Sequence, residues 1–392
     1  MLNAFQSERP ASRGLRIHRP TISERDIAQA NLSKVLTDLN LSQYVKIGSD
    51  DPDFVSVELK SECVAEWMPD GDTAGVTSKL NLDTVRNPQD LEREILLTML
   101  ACPIVFEFPS FEEFISSVRI RQKIVEAARK TSLSFATHEA ERPADYWSYD
   151  EDQGFIVRPQ KSLIDALRYA TQPELSGQRY TFSCRRAGEY IVLLAVAREA
   201  AEFHQELFYD LQKQAETRAV KGREFESIFQ RQIGSWDNPL PVKFFIPGDR
   251  TWFRNPDDAS GEITGYEGSW TFYLGNGVFA DFWRPNQFYS LTTKCLSIYH
   301  WRNSTFFDAN GELQIDESRV EAQVEKSLKD PLEMTQILNE MLRLQVPSGG
   351  QGGGCVEPHR EYVRQVCRGT ADLNLPDIAR PLQLKTPLQL KT

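Results

Sequence analysis

Apolar residues recur at spacings of three and four through Phe111, Phe114, Ile115, Val118 and Val125. That spacing predicts a helix with one buried face running to about Lys130, and Ser110 with Glu113 reads as a capping box at its start. A second helix is expected from Ser162 to Ala170, after Pro159. Further on, Tyr180–Ser183 leads into Cys184, and Ala187, Tyr190–Ala197, Ala200 and Ala201 are apolar on nearly all sides. The pattern continues through Phe203 and Leu207, too far for a strand, and predicts a buried helix starting at Cys184. Residues 204–228 are highly charged and read as a solvated helical extension.

Beyond Gly234 the period changes. Phe244–Ile246, Trp270–Leu274 and Gly277–Trp283 are short, aromatic and β-branched, and turn signals at Pro247-Gly248-Asp249, Asn255-Pro256-Asp257 and Gly275-Asn276-Gly277 separate them. This predicts an antiparallel meander. Upstream, a helical pattern surrounds Ile27–Leu39 and an alternating run covers Phe54–Leu59; downstream, a helix capped by Asp330, with Pro331 at its first position, extends to Leu344. Ser348–Gly354 is a glycine run, and Pro381–Thr386 is repeated as Pro387–Thr392, which reads as an exposed tail. The expected organisation is an N-terminal accessory segment over 1–87, a catalytic domain over 88–287, a C-terminal helical extension over 288–345 and a flexible tail over 346–392. The expected fold class is α+β, an antiparallel sheet packed on helices.

Composition narrows the function. Hydrophobic residues make up 40% of the 392 and charged residues 26%, ordinary for a soluble globular protein. A net charge of -11, with no basic stripe, repels phosphate backbones, so no nucleic-acid partner is expected. The longest apolar run, Tyr190–Ala197, is far below the roughly 20 residues of a membrane span. Met1–Pro20 lacks an apolar export signal, so the expected location is the cytoplasm and no membrane partner. The six cysteines are expected as free thiols.

Cys184 carries the chemistry. At the first turn of a helix, unpaired N–H groups and the dipole favour an anion, so the thiol is expected to fall toward neutrality and to attack a carbonyl, forming a thioester. Cys355, Glu357, His359 and Cys367 fit no strong zinc spacing, so no metal is expected, and His300 reads as a structural histidine rather than a catalytic base. No phosphate loop is present, and no cofactor is expected.

From Pro88 to Trp283 the chain resembles the bacterial spore-coat-type protein-glutamine gamma-glutamyltransferases, transglutaminases with a core similar to the NlpC/P60 cysteine peptidases, which are papain-like. The resemblance rests on motifs in the same order: Pro103-Ile104-Val105-Phe106, the helix Val118–Ala128, Phe135-Ala136-Thr137, Asp145-Tyr146-Trp147, Tyr180–Cys184, Gly248-Asp249 leading to Phe253-Arg254-Asn255-Pro256, and Gly268 with Leu274-Gly275. It implies protein substrates carrying glutamine and lysine, and Cys184 as the nucleophile. It also exposes departures. The family glutamate before the cysteine is Ser183 here, a second glutamate after the glycine of a strand is Ser269, and a histidine on the next strand is Asp281. A carboxylate partner is therefore sought in Asp281 or in Glu267, which shares a strand face with Ser269. Trp252, Trp270 and Trp283 are candidate aromatic walls for the substrate. Three readings stay open: glutamine–lysine crosslinking, glutamine deamidation, and a degenerate member serving as a scaffold.

Overall fold

The computed structural model describes residues 13–18, 22–48, 53–135, 140–346 and 353–376. Residues 1–12 of the N-terminal stretch Met1–Pro20, which reads as a polar leader, most of the glycine run, and the terminal repeat lie outside them.

Strands β1 (Leu15–His18), β2 (Val45–Gly48), β3 (Phe54–Leu59) and β4 (Phe106–Phe108) form one sheet in the order β2-β3-β1-β4. The strand β4 runs parallel to β1. The accessory segment therefore shares its sheet with the chain that enters the central domain. Helix α1 (Ile22–Asp38) lies against β3, with Leu32 and Leu36 buried.

Five longer helices follow: α2 (Pro88–Ala101), α3 (Phe111–Lys130), α4 (Leu163–Thr171), α5 (Cys184–Phe203) and α6 (Gln205–Thr217). Three of them start after a capping serine. Ser110 accepts from the Glu113 N–H at 3.1 Å, Ser162 from Asp165 and Ser183 from Arg186, each at 3.3 Å, satisfying amides that have no partner inside the helix. Glu113 does not close the expected box. Its carboxylate accepts instead from the Val366 and Cys367 amides and the Thr370 hydroxyl. As its apolar run predicts, α5 is buried; α3, α4, α6 and a strand surround it. Residues 204–228 are no solvated extension, because Leu211, Phe225 and Ile228 are buried in the main core.

The second sheet joins β5 (Gln230–Ile233), β6 (Arg250–Arg254), β7 (Gly268–Phe272) and, far downstream, β10 (Arg360–Val363), with β8 (Val278–Ala280) and β9 (Phe288–Ser290) as a hairpin beside it. Its order is β7-β6-β10-β5, antiparallel throughout. Phe244–Ile246, expected as a strand, is a buried turn: the Asp249 carboxylate accepts from the Ile246 N–H at 2.8 Å and from Arg121 Nη1 at 2.7 Å. Gly248, at φ +89°, leaves the space that Arg121 fills; a Cβ there would sit 2.9 Å from the arginine backbone. Helices α7 (Leu291–Trp301), α8 (Glu317–Lys329) and α9 (Pro331–Met341) build a second core on the face of the sheet carrying Phe253, while Phe272 faces the first.

The region beyond 346 was expected as a tail, yet its described part lies inside the molecule. In the sheet, β10 lies between β6 and β5, Arg360 is fully buried, and Glu361 pairs with buried Arg250 at 2.7 Å. The domain expected to end at 287 also continues, since α7 delivers a side chain to the site described next.

Candidate functional site

Cys184 occupies the first helical position of α5, directly after the Ser183 cap, and the residue is half-buried. The helix meets the sheet at β7, an edge strand, whose Trp270 N–H points to the sulfur. The Arg185 N–H does the same from the helix turn, and Arg250 and Lys294 supply positive charge nearby. Their joint effect is smaller than the cost of desolvation. Burial pushes the Cys184 thiol above its ordinary value, and these donors and cations only offset part of the rise, so the fall toward neutrality expected from the helix start does not occur.

Arg250 sits on the α5 face of the sheet. Its guanidinium carbon lies 3.8 Å from the centre of the Trp270 ring, and Nη1 donates to Gln230 Oε1 and Glu361 Oε2 at 2.9 and 2.7 Å. Its Nε and Nη2 are buried without a partner among the described residues. Gly188 on α5 permits this approach, because a Cβ there would stand 3.0 Å from the arginine Nε.

A cleft of about 630 Å³ opens beside β7. Ser269, Asp281 and Lys294 line it together with the aromatic rings of Phe135, Tyr266 and Trp283. Phe135 meets Trp283 edge-on at 5.2 Å. Helix α8 adds Glu317, Glu321 and Glu325, one residue per turn.

The sequence-derived candidates divide. Asp281, just after β8, is buried and lines the cleft, but its oxygens accept from the Trp283 and Arg284 amides at 3.0 and 3.3 Å and from Arg284 Nε at 2.9 Å. Glu267 is exposed and accepts from the Gly265 N–H of its own turn at 3.0 Å; it is absent from the cleft wall because the turn before β7 holds it back. Trp283 lines the cleft. Trp252 and Trp270 do not: they pair with each other across β6 and β7 at 5.2 Å, and Trp252 packs over Gly268, where a Cβ would meet it at 2.4 Å. Ser183 and Ser269, expected from the resemblance to replace glutamates, act as a helix cap and as the acceptor of a hydrogen bond from Lys294 Nζ at 3.1 Å.

Lys294 and Arg250 were not among the expected residues. A signal for the lysine exists: it is the one Lys, Arg, Asp or Glu in the otherwise apolar and hydroxylic LTTKCLSIYHW of α7, and a lone charge in such a helix asks for a partner. Of the cysteine–histidine group near the C-terminus, Glu357 and His359 approach each other at 3.5 Å, but the two cysteines point elsewhere. Cys355 faces Cys295 at 3.6 Å, His359 reaches Gln232 at 3.0 Å, and Cys367 lies by Glu113. Among the described residues no three His, Cys, Asp or Glu side chains form a group able to hold a metal, and no helix is long and apolar enough to cross a membrane.

A thiol at a helix start, two cations and a sheet-edge amide, set in a mixed helix-and-sheet frame, make a site equipped for chemistry at a carbonyl group. A family model described as protein-glutamine gamma-glutamyltransferase matches residues 73–296, more than half of the chain, and the protein belongs to that family of acyltransferases, which act on protein substrates. No curated protein matches the sequence. Among solved structures, a transglutaminase from Geobacillus stearothermophilus, without its C-terminal extension, is similar at 17% identity over 65% of this chain and 95% of that one, with a TM-score of 0.39.

Proposed function

We propose that this protein crosslinks proteins by transferring the acyl group of a glutamine side chain to a lysine amine through a thioester on Cys184, within an NlpC/P60-like core. The observation that carries the reading is the placement of Cys184: a half-buried cysteine on the first turn of a buried helix, its sulfur facing the Trp270 N–H of the edge strand β7. In the first half-reaction the sulfur attacks the glutamine carboxamide carbon, and the carbonyl electrons move to oxygen. Backbone N–H groups at the helix start stabilise that oxyanion, and the buried Arg250 charge stabilises the thiolate. Ammonia leaves as the tetrahedral species collapses, and the amine of the second substrate then opens the thioester. The neighbouring cleft, walled by Phe135, Tyr266 and Trp283, offers an apolar seat for the second substrate, which favours the amine over hydrolysis.

The test is incorporation of a fluorescent primary amine into a glutamine-rich protein. Native chain is expected to label the acceptor, and Cys184→Ala to abolish labelling. Labelling that survives the change ends the nucleophile assignment. Ammonia release without labelling makes the protein a deamidase, and absence of both leaves a scaffold that keeps the family fold.

A further inference from the structure

The two carboxylates sought from the sequence, Asp281 and Glu267, are not free to move a proton at Cys184. Asp281 is committed to two turn amides and Arg284, Glu267 points elsewhere, and the two family glutamate positions are serines. One titratable group does stand in the cleft beside them. Lys294 is 5% exposed, one turn into α7, with Nζ donating to Ser269 Oγ at 3.1 Å and lying 3.7 Å from the centre of the Tyr289 ring. Ser269 adjoins Trp270, whose amide meets the Cys184 sulfur.

The groups facing Lys294 come from every neighbouring element: Cys184 of α5, Ser269 of β7, Asp281 after β8, Arg284 in the following loop, Tyr289 of β9 and Glu317 of α8. Among the described residues none of these carboxylates lies in ion-pair contact with Nζ; the Glu317 carboxylate is engaged by the Tyr266 hydroxyl. A buried amine that has a hydroxyl and a ring for company, and a thiol within electrostatic reach, is held in a place where its neutral form is useful.

We propose that Lys294 carries the proton between Cys184 and the glutamine amide nitrogen, taking at this site the part the family gives to a carboxylate; the inference rests on the acyl-transfer reading above. The neutral amine accepts the thiol proton as the S–C bond forms. The resulting ammonium donates that proton to the departing nitrogen as the C–N bond breaks, so ammonia leaves and the amine is neutral again. In the second half the attacking lysine amine of the substrate gives its proton to Lys294, which returns it to the cysteine sulfur as the S–C bond breaks. The sum is one amide exchanged for another with release of one ammonia. Burial supports the assignment from both sides: it pushes the Lys294 ammonium down to about 8, with Asp281 and Cys184 opposing, and it keeps the thiol protonated until a base removes the proton.

The experiment compares native chain with Lys294→Met and Lys294→Arg in two assays across pH 6–10: amine incorporation, and alkylation of Cys184 by iodoacetamide, which needs no substrate. Native incorporation is expected to climb from pH 7 to 9 as the amine loses its proton. The Met variant is expected to lose incorporation by about 10²- to 10⁴-fold and to move the alkylation midpoint upward. Arg keeps the charge without the titration, so it is expected to hold the midpoint yet stay down by about 10²-fold or more in incorporation. Full activity in the Arg variant overturns the proton transfer, and an alkylation profile unchanged in the Met variant overturns the coupling altogether. If native chain fails to label the acceptor while alkylation still depends on Lys294, crosslinking fails and the proton coupling stands. Should the variants misfold, ¹⁵N titration of the lysine Nζ in native protein before and after alkylation of Cys184 decides: a shifted midpoint supports the pair, and an unmoved one rejects it.

Discussion

At the scale of single residues, several buried ionisable groups hold turns rather than take part in chemistry. Glu94 of α2 is the clearest example. It is fully buried, accepts from the Asn276 N–H at 2.9 Å and the Tyr273 hydroxyl at 3.3 Å, and occupies the space left by Gly275, where a Cβ would meet its Oε2 at 2.3 Å. The glycine that helped mark the family thus exists to admit a carboxyl group. Burial pushes that carboxyl up to about 7 from 4.5. Between these values the native state keeps a proton the unfolded chain has lost, so stability is present below pH 4.5 and declines as pH rises toward 7, flattening above it. The shift corresponds to about 3 kcal/mol across the window. Urea unfolding of native chain and Glu94→Gln at pH 4.5, 6 and 7.5 is expected to show the native stability falling faster; parallel pH dependences would mean that the carboxyl titrates normally.

At the scale of elements, helices were legible where a cap, a period and an apolar face agreed within one stretch of chain. The helix α3 begins after Ser110, α4 after Ser162, α5 after Ser183 and α9 after Asp330, as their residues predict. Even so, α2 went unread, although Asn87 caps it and Pro88 fills its first position. Strands were harder, because pairing is non-local. Phe244–Ile246 is as apolar as a strand but serves a turn, while Arg250–Arg254, with a charge at each end, is the strand, and Arg250 finds its partner Glu361 far away in sequence. For the same reason Lys294 could not be tied to Ser269 or Cys184 before the sheet was known. The cap of α5 yields a prediction. Ser183→Ala removes the acceptor for the Arg186 N–H and is expected to cost about 0.5 to 1 kcal/mol in urea unfolding, whereas Ser183→Asp, an equally good cap, is expected to match the native chain. Loss in the Asp variant equal to that in Ala would show that the position does something other than capping.

At the scale of the whole molecule, the segment after 352 ties the two cores together. A glycine run and a terminal repeat made this region look like a tail, and Arg360-Glu361-Tyr362-Val363 is too short and too charged to announce a strand. The residues that give it meaning lie more than a hundred positions upstream. β10 supplies hydrogen bonds to β5, Glu361 neutralises Arg250 beneath Cys184, and Arg360 donates to the Phe244 and Val242 carbonyls at 3.2 Å. The next few residues then satisfy Glu113 at the start of α3. Ending the chain at Val346 would strip a strand from the middle of the sheet and leave Arg250 and Glu113 buried without these partners. Breaking one buried pair of this kind costs about 3 to 5 kcal/mol. Glu361→Ala alone is therefore expected to lower stability by about that amount in urea unfolding, and the chain ended at Val346 to lose its cooperative transition. Because Arg250 also stabilises the Cys184 anion, Glu361→Ala is expected to change the alkylation rate of Cys184 as well. A truncated chain unfolding at the native urea midpoint would show that the sheet closes without β10 and that the terminal segment is an ornament on a complete domain.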